Sequence, residues 1–583
     1  MNLFNFITFF FVTFITINCV AGEELTLIAG PVSCEYKDKD TIENFDINSD
    51  SSITCDGTSC NGKGATFSDG LVSITAAGTY IVQGTLNGQI RIEAAKEDFV
   101  HIVLNSITIN SSNGPAIYGI SANKITITVI GENTLIDSNN YTVVDEEPDA
   151  CLFIDSDLSF NGSGSLSVTG NYGDAIRCKK DLKFVNGNII IPNAVQRGIK
   201  AKNSICIKDG TIDVNSTNTA IKVTRDDNPE KGYIVVDGGN IAVSTEKDGI
   251  HSETHLTIRG GYIDVKKSAE GLEGQMIDIL GGEIHVLATD DGINASKITN
   301  NTETSNNGGM GGGKFGGDTA TSTDGSVYIN IVGGKTYVTV NGNDVDGIDS
   351  NGVLYIGGEA EVYTSISSGD IYGNMAALDA EGSNSVARGA SVFVTAGGMG
   401  SGMGGGNGSG RPNGSGRNKR QDSDSDNSND SNNSSGKGRP SGMNGFPNGM
   451  SGSPSGKGAM GSHPGGMGET GNVYQPYLET TVDTQNGGTE IIVKDSNNNV
   501  LTRYTPSISY SAILVSIPSL KAGETYTIVT GENSVTVNAS EAASGEPNSP
   551  SVNNPSDSTS NAFIIYPKII TLSIILLSVI FFF

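Results

Sequence analysis

Acidic residues recur at one position of a repeated turn in the middle of this 583-residue chain. The position precedes a small residue and reads Asp174, Arg197, Thr219, Asp248, Glu270, Asp291 and Asp346. Further carboxylates near these turns are Glu253, Glu273, Asp290, Asp344 and Asp349. Like charges about 5 Å apart repel one another, and a hard divalent cation removes that repulsion. Because Ca²⁺ prefers six to eight oxygen ligands, this pattern suits calcium.

A second position of the same turn begins as a basic strip. It follows the aliphatic residue of the turn and reads Arg177, Lys200, Lys222, His251, Glu273, Asn294 and Asp349. A basic strip beside an acidic one can hold an acidic polysaccharide, with calcium bridging some carboxylates and Lys or Arg pairing with others. The candidate ligand-binding residues are therefore Arg177, Lys200, Lys222 and His251.

Such charge ladders also have simpler explanations. The residues can form a solvated surface, or they can neutralise one another in salt bridges. We expect His251 and His255 to be surface residues rather than metal ligands. Tyr337 and Tyr363 lie in late strands, where they either offer faces for sugar stacking or serve only as strand formers.

The turns belong to a repeat that extends from about residue 65 to 398. Its small turn residues are Ala175, Gly198, Ala220, Gly249, Gly271, Gly292 and Gly347. Successive spacings are 23, 22, 29, 22, 21 and 55, and the long gaps contain insertions at 225–232 and 300–324. A period near 22 built from strands and turns predicts an all-β solenoid, a right-handed parallel β-helix. Equivalent residues of adjacent coils then lie about one strand spacing apart.

Composition excludes several classes of protein. The 36 basic and 64 acidic residues give a net charge of −28, which argues against a nucleic-acid partner because phosphate binding needs a basic face. Sustained amphipathic helices are absent, so a helical bundle is excluded. A leucine-rich repeat needs Leu and Asn at fixed places, and a propeller needs about 40 residues per blade. The chain contains no Trp, which disfavours binding to crystalline cellulose.

Both ends of the chain look like processing signals. Residues 1–21 have the apolar run and small-residue cleavage site of a secretory signal peptide. Residues 563–583 form a hydrophobic tail after a polar linker at 543–562, which favours a GPI-anchor signal over an ordinary transmembrane tail. We therefore expect a secreted protein held at the cell surface by a membrane anchor.

The remaining segments have different compositions. Residues 22–64 contain clustered cysteines, and secretion permits disulfides among the six that remain after signal cleavage. Residues 399–470 are rich in Gly, Ser and Asn and are expected to be disordered. Residues 471–542 return to β patterning and predict a small antiparallel unit, either a cap on the solenoid or a compact sandwich. Sequons for glycosylation occur at Asn110, Asn140, Asn161, Asn215, Asn294, Asn300 and Asn538.

Several motifs occur together between about residues 70 and 540. They are GTYIVQGTLN from Gly78, NYGDAI from Asn171, DGIDSNG from Asp346, ALD from Ala377 and QPY from Gln475. With these motifs the chain resembles the carbohydrate-binding domain proteins whose right-handed β-helix is similar to polysaccharide lyases. The resemblance implies calcium sites in the acidic turns and binding of cellulose or polygalacturonate, without established catalysis.

Carried over by position, the resemblance makes specific residues candidate calcium ligands. They are Asp174, Asp248, Glu270, Asp291 and Asp346, with Asp290 beside them. The sequence departs from the family pattern at Arg197 and Thr219, where an acidic residue is usual. This departure puts calcium in those two coils in doubt.

Three functional classes fit these patterns. The first is a surface-anchored protein that binds polysaccharide with the help of Ca²⁺, and we expect binding rather than catalysis. The second is a polysaccharide lyase, in which Lys200, Lys222 or Arg197 is the base; a hydrolase would instead need paired carboxylates such as Asp290 and Asp291. The third is a structural or adhesive cell-wall protein. The sequence indicates no oligomeric state.

Overall fold

The computed structural model describes residues 26–48, 50–142, 147–297, 325–342, 345–372, 376–397, 471–547 and 549–550. The predicted signal peptide, the low-complexity insert at 399–470, the hydrophobic tail and most of the linker before it lie outside these residues. Asp344 and the insertion at 300–324 lie outside them as well. No helix in the described ranges is long and apolar enough to cross a membrane.

The described chain is built almost entirely of short strands, with one helix, α1 (Asp38–Thr41). The first strands are β1 (Ser51–Gly57), β2 (Ser59–Gly62), β3 (Thr66–Ser68), β4 (Leu71–Ile74), β5 (Gly78–Leu86), β6 (Gln89–Glu93) and β7 (Phe99–Asn110). The strands of the repeat are β8 (Ile117–Ser121), β9 (Lys124–Ile130), β10 (Glu132–Ile136), β11 (Ala150–Ile154), β12 (Asp157–Asn161), β13 (Ser165–Gly170), β14 (Asp174–Cys178), β15 (Asp181–Phe184), β16 (Asn188–Ala194), β17 (Ile199–Ala201), β18 (Ser204–Ile207), β19 (Thr211–Ser216), β20 (Ile221–Val223), β21 (Tyr233–Val236), β22 (Asn240–Ser244), β23 (Ile250–His251), β24 (His255–Ile258), β25 (Tyr262–Ser268), β26 (Leu272–Gly274), β27 (Met276–Ile279), β28 (Glu283–Ala288), β29 (Asp291–Ala295), β30 (Tyr328–Ile331), β31 (Lys335–Val340), β32 (Asp346–Ser350), β33 (Val353–Ile356), β34 (Glu361–Ile366), β35 (Asp370–Tyr372), β36 (Ala376–Ala380), β37 (Asn384–Val386) and β38 (Ser391–Ala396). The last strands are β39 (Asn472–Val473), β40 (Tyr477–Gln485), β41 (Ile491–Lys494), β42 (Val500–Tyr504), β43 (Tyr510–Ser516), β44 (Thr525–Thr530) and β45 (Asn533–Asn538).

Strands of successive coils pair in parallel and form three ladders. The column ladder is a 14-stranded sheet in the order β3-β4-β6-β8-β11-β14-β17-β20-β23-β26-β29-β32-β36-β35. The strap ladder contains β9, β12, β15, β18, β21, β24, β27, β30, β33 and β37. The aromatic ladder contains β10, β13, β16, β19, β22, β25, β28, β31, β34 and β38. The long strand β7 pairs with both β9 and β10 and so joins the last two ladders in one sheet. The predicted parallel β-helix is confirmed.

Aliphatic side chains fill the interior in stacks that follow the coil repeat. In the column ladder, one such stack pairs Ile176 with Ile199, Ile199 with Ile221 and Ile221 with Ile250, and all four are fully buried. Branched aliphatic residues suit this arrangement because they pack well on a pleated surface. The alternation of these residues with polar ones sets which side chains of each strand face outward.

The small residue of the repeated turn is required by packing inside the coil. A Cβ atom placed on Gly198 would lie 2.2 Å from Cγ1 of Val214 in the aromatic ladder. A Cβ atom on Gly292 would lie 2.2 Å from Cγ1 of Val338 and 2.4 Å from the carbonyl oxygen of Gly347. The turn therefore lies directly against the neighbouring strand, which explains Gly in these two coils and excludes large side chains from the position.

Residues 26–48 form an N-terminal strap that lies along the outside of the strap ladder. Its backbone accepts hydrogen bonds from Thr126 and Asn161, which belong to two adjacent coils, and donates one to Thr257 in a distant coil. A disulfide joins Cys34 of the strap to Cys206, and a second one, Cys55–Cys60, closes the hairpin of β1 and β2. Cys151 and Cys178 are buried free thiols.

A buried carboxylate fixes the strap near its C-terminal end. The Asp40 carboxylate forms ion pairs with Lys124 at 2.5 Å and Lys183 at 3.0 Å, and it accepts a hydrogen bond from Ser159 at 2.7 Å. Burial alone raises the pKa of Asp40, but the hydrogen bonds from Lys124 and Ser159 outweigh it and hold the pKa well below its usual range. The strap is thus held by charge as well as by backbone hydrogen bonds.

The C-terminal residues continue the solenoid with antiparallel strands. β43 pairs antiparallel with β38, the last strand of the aromatic ladder, and β40 pairs with β43. A separate four-stranded sheet has the order β42-β41-β44-β45. β43 therefore covers the open edge of β38, as a cap on a solenoid does.

Candidate functional site

The predicted basic strip is a true structural column on the column ladder. Parallel pairing joins Arg177 to Lys200, Lys200 to Lys222, Lys222 to His251 and His251 to Glu273. Further pairs continue it through Asn294, Asp349 and Asp379. We call this series the charged column. The charge of this column changes along the ladder, from positive at Arg177 to negative at Asp349 and Asp379.

The sequence reading missed three members of this region. Asp379 extends the charged column by one coil, and its motif Ala377-Leu378-Asp379 was visible but was not aligned with the earlier turns. Glu147 and Asp149 precede β11 and contact Arg177 from the neighbouring coil. No repeat position marks these two acids, so only the fold brings them to the site.

Arg177 is neutralised by acidic neighbours. Its guanidinium forms an ion pair with Asp149 and a second one with Glu147 at 3.0 Å, and it lies 5.6 Å from the ring centroid of Phe153. Asp149, Asp174 and Glu147 raise the pKa of Arg177 against the effect of burial. At this residue the salt-bridge alternative considered from sequence is the one the structure supports.

Lys200 and Lys222 are in a different situation. They are only 8% and 5% exposed, and in the described ranges neither ammonium forms an ion pair or a hydrogen bond. Burial lowers the pKa of Lys200, and the nearby charge of Asp174 opposes this only in part. Two neighbouring, largely buried cations therefore have unused hydrogen-bonding capacity on this face.

The acidic position before the small turn residue has a structural role in three coils. One carboxylate oxygen of Asp174 accepts a hydrogen bond from the backbone amide of Arg197 at 3.0 Å. Asp291 accepts one from the amide of Asp346 at 3.2 Å, and Asp346 accepts one from the amide of Ala376 at 2.7 Å. Each acid thus caps the start of the next coil with one carboxylate oxygen.

Arg197 and Thr219, which depart from the family pattern, each contact the acidic turn residue of a neighbouring coil. Arg197 lies 3.7 Å from Asp174 as an ion pair, and the Thr219 hydroxyl donates a hydrogen bond to Asp248 at 2.9 Å. Arg197 is 6% exposed, so it is part of the packed ladder. Asp149, next to this pair, has a pKa raised to about 6 by burial and then by the charge of Asp174.

The prediction that His255 is a surface residue is wrong, and His251 is only partly exposed. His255 is 3% exposed because the N-terminal strap covers it, and its Nε2 lies 2.9 Å from the carbonyl oxygen of Ile28. His251 lies among the side chains of Asp248, Glu253 and Glu273. Burial alone lowers the pKa of His251, but the charge of Glu273 and the hydrogen bonds to Asp248 and Glu253 raise it well above its usual value.

The remaining candidate calcium ligands occupy different environments. Burial, followed by the charges of Glu273 and Asp248, raises the pKa of Glu270 well above its usual value, and Glu270 accepts a hydrogen bond from Asn294 at 2.9 Å. Asp290 is exposed, whereas Asp291 and Asp346 are buried. Carboxylates from three successive coils therefore meet along one line, with Asp290 at its solvent side.

The two tyrosines considered for sugar stacking belong to a ring stack on the aromatic ladder. Tyr337 has His285 on one side and Tyr363 on the other, with ring centroids 4.6 Å and 4.7 Å away. Tyr363 continues the stack to Phe393 at 6.2 Å. The neighbouring rings cover both faces of Tyr337 and Tyr363, so the strand-forming role is the one that the structure supports.

The fold and the site together define a capped parallel β-helix with one charged outer face. Residues 68–312 match the family model described as carbohydrate-binding domain-containing protein, which confirms the family resemblance predicted from the motifs. A curated protein of Acetivibrio thermocellus with the same description is 34% identical over 137 residues, which are 22% of this chain and 48% of that protein. The chain thus spans about half the length of this relative.

One solved structure is also similar. It is described as the polysaccharide lyase-like protein from C. thermocellum, in a gadolinium derivative. The sequence identity is 29%, the TM-score is 0.36, and the match covers 40% of this chain and 93% of that one.

Proposed function

We propose that this protein binds polysaccharide through the charged column, and that the ligand is an acidic glycan of the polygalacturonate type. The family match supports carbohydrate binding. The observation that carries the proposal is the pair of adjacent, largely buried side chains of Lys200 and Lys222, whose ammonium groups form no ion pair in the described ranges. A uronate carboxylate supplies an ion-pair partner for these two cations.

Calcium is the proposed second element of binding. Beyond His251 the site changes from cations to carboxylates and amides, with Glu270, Asp291, Asn294, Asp346 and Asp349 in adjacent coils. Ca²⁺ held by such oxygens can also accept oxygens from the glycan. The acids that cap the coils, Asp174, Asp291 and Asp346, are the candidate ligands, and Asp248 and Asp290 are the further candidates.

Cellulose is the alternative ligand within the same proposal. A neutral glycan offers only hydroxyl groups to Lys200 and Lys222, and the stacked rings of Tyr337 and Tyr363 present edges rather than faces. These two observations favour the acidic polymer. We also propose that the secretory signal and the hydrophobic tail display the binding face at the cell surface through a membrane anchor.

Retention on a solid glycan tests the proposal. The full chain is applied to polygalacturonate beads with Ca²⁺, then with a chelator, and in parallel to cellulose. We expect calcium-dependent retention on polygalacturonate and release by the chelator. No retention on polygalacturonate in either condition contradicts the acidic-glycan proposal. Retention on cellulose alone identifies the neutral polymer as the ligand.

A second candidate function, a β-helix polysaccharide lyase, is favoured by one observation. Burial lowers the pKa of Lys200, as a general base for removal of the sugar C5 proton requires; Asp174 lies in the adjacent coil and Arg197 in the same turn as Lys200. The same incubation decides between the candidates, because a lyase releases unsaturated uronides that absorb in the ultraviolet. Product that disappears in Lys200→Met would establish catalysis, and its absence leaves a binding protein.

A further inference from the structure

The middle of the charged column brings nitrogen and oxygen ligands together from neighbouring coils. Nδ1 of His251 lies 3.3 Å from Oδ2 of Asp248 and 2.5 Å from Oε2 of Glu273. One ligand atom from each residue lies within 4.8 Å of the other two. The side chain of His251 is 13% exposed, that of Asp248 10% and that of Glu273 19%, so the cluster is largely shielded from water.

We propose that Asp248, His251 and Glu273 bind a divalent transition metal such as Zn²⁺. Zinc with ligand bonds of 2.0–2.2 Å in tetrahedral geometry holds its ligand atoms about 3.4 Å apart. The separations in the cluster, from 2.5 Å to at most 4.8 Å, bracket this value. Small side-chain rotations therefore complete a three-ligand site, which leaves the fourth position open on the outer face.

The site shares Asp248 with the proposed calcium candidates, and the imidazole of His251 is what makes it different from them. Calcium takes oxygen ligands, whereas an imidazole nitrogen suits zinc, copper, iron or nickel. In the coils that follow, the position of His251 is held by Glu273, Asn294 and Asp349, which offer oxygen to a cation. The metal preference therefore changes at one coil, because that coil supplies a nitrogen ligand.

Outer groups already orient two of the three ligands. Nε2 of His251 lies 3.5 Å from Oε1 of Glu253, and the Thr219 hydroxyl donates a hydrogen bond to Asp248 at 2.9 Å. Metal-bound histidines commonly direct the second ring nitrogen at a carboxylate, which fixes the ring orientation. Glu253 supplies this second carboxylate on the side of the ring away from Asp248 and Glu273.

Formal charges favour a divalent ion over a proton on His251. Asp248, Glu253 and Glu273 contribute −3, and Lys222, whose charge acts on Asp248 and Glu253, contributes +1. The sum with a neutral imidazole is −3 + 1 = −2, which a divalent metal cancels. A protonated His251 would leave −1. Metal binding thus neutralises the cluster more completely than the ion pairs do.

Cobalt is the probe for this site, because its visible absorption reports ligand number and ligand type. The full chain is stripped with a chelator, freed of the chelator and titrated with Co²⁺. We expect one tightly bound Co²⁺ that Zn²⁺ displaces and that a large excess of Ca²⁺ does not. His251→Ala lowers cobalt affinity at least 100-fold, and Glu253→Gln lowers it about 10- to 100-fold.

His285→Ala is the matched control. His285 is also paired with a carboxylate, Glu283 at 2.9 Å, but it lies on the aromatic ladder and should keep wild-type cobalt binding. Circular dichroism establishes folding, and Glu253→Gln carries the test where His251→Ala does not fold. Absence of a cobalt signal in the wild type, or equal affinity in folded His251→Ala, overturns the inference.

The inference is independent of the proposed glycan ligand. Cobalt binding with no retention on polygalacturonate rejects the proposed function and supports the metal site. Calcium-dependent retention on polygalacturonate with no cobalt binding supports the proposed function and rejects the metal site. The two failures are therefore distinguishable in the same preparation of protein.

Discussion

Replacing Lys200 by Met is the sharpest test of the charged column. The substitution keeps a flexible apolar stem and removes only the ammonium group, which in the described ranges forms no hydrogen bond to the protein. The change should therefore act on the ligand rather than on the fold. Lys222→Met is the companion variant in the next coil.

The magnitude follows from the contact that is lost. A hydrogen bond to a charged group contributes about 1.5–3 kcal/mol. Since each 1.4 kcal/mol is a factor of ten, Lys200→Met should weaken polygalacturonate binding about 10- to 140-fold. Folding stability should change by less than about 1 kcal/mol, because burial disfavours the Lys200 charge while Asp174 and Asp149 favour it.

The assay is affinity for soluble polygalacturonate at fixed ionic strength, together with denaturant unfolding of each variant. Lys266→Met is the control, since Lys266 is exposed and lies in β25 of the aromatic ladder. Wild-type affinity in folded Lys200→Met, or an equal loss in Lys266→Met, would refute the assignment of binding to the charged column. Loss of affinity together with a large loss of stability would refute the claim that Lys200 has no structural role.

Three further predictions concern the fold. Asp40→Asn leaves the largely buried Lys124 with the Ser159 hydroxyl but without its carboxylate partner, and should lower the free energy of unfolding by about 3–5 kcal/mol; denaturant titration measures this, with protease sensitivity of the strap as a second readout, and unchanged stability would contradict the role of the ion pair. Gly292→Ala should destabilise by about 1–3 kcal/mol through the contacts with Val338 and Gly347, and an unchanged melting temperature would contradict the packing explanation. The pKa of Asp149 is 3.8 in the unfolded chain and about 6 in the folded protein. Between these two pH values the folded protein holds a proton that the unfolded chain has lost, so the free energy of unfolding falls as pH rises. Asp149→Asn removes this titration, so its free energy of unfolding minus that of wild type should increase by up to about 3 kcal/mol as pH rises from 3.8 to about 6. A difference that stays constant over this pH range would contradict the raised pKa.

The repeat made much of the fold and of the charged column predictable. Coil period, small turn residue and aliphatic residue together fixed the register, so Arg177, Lys200, Lys222 and His251 pair as the sequence alignment predicts. Parallel stacking turns a position in the repeat into a line on the surface, which makes a local pattern informative about distant residues. Even the 55-residue gap leaves the ladder intact, because Asp291 pairs with Asp346 across it.

Contacts that do not follow the repeat could not be predicted in this way. The N-terminal strap crosses many coils, and nothing in its composition indicates that it would cover His255 or place Asp40 beside Lys124. The partners of Arg177 likewise come from Glu147 and Asp149, which lie before the strand rather than at a repeat position. Long-range packing of irregular segments depends on shape and charge that a periodic alignment does not contain.

The structure also distinguishes the residues of the repeated turn that support the fold from those that are available to a ligand. Asp174, Asp291 and Asp346 accept backbone amides of the next coil, so selection for folding alone can account for an acid at that position. Lys200 and Lys222 have no such task, because their ammonium groups contact no partner in the described ranges. An ammonium group that forms no ion pair or hydrogen bond with the protein keeps its donors for a ligand. For that reason the search for ligand contacts should begin at these two lysines rather than at the more regular acidic series.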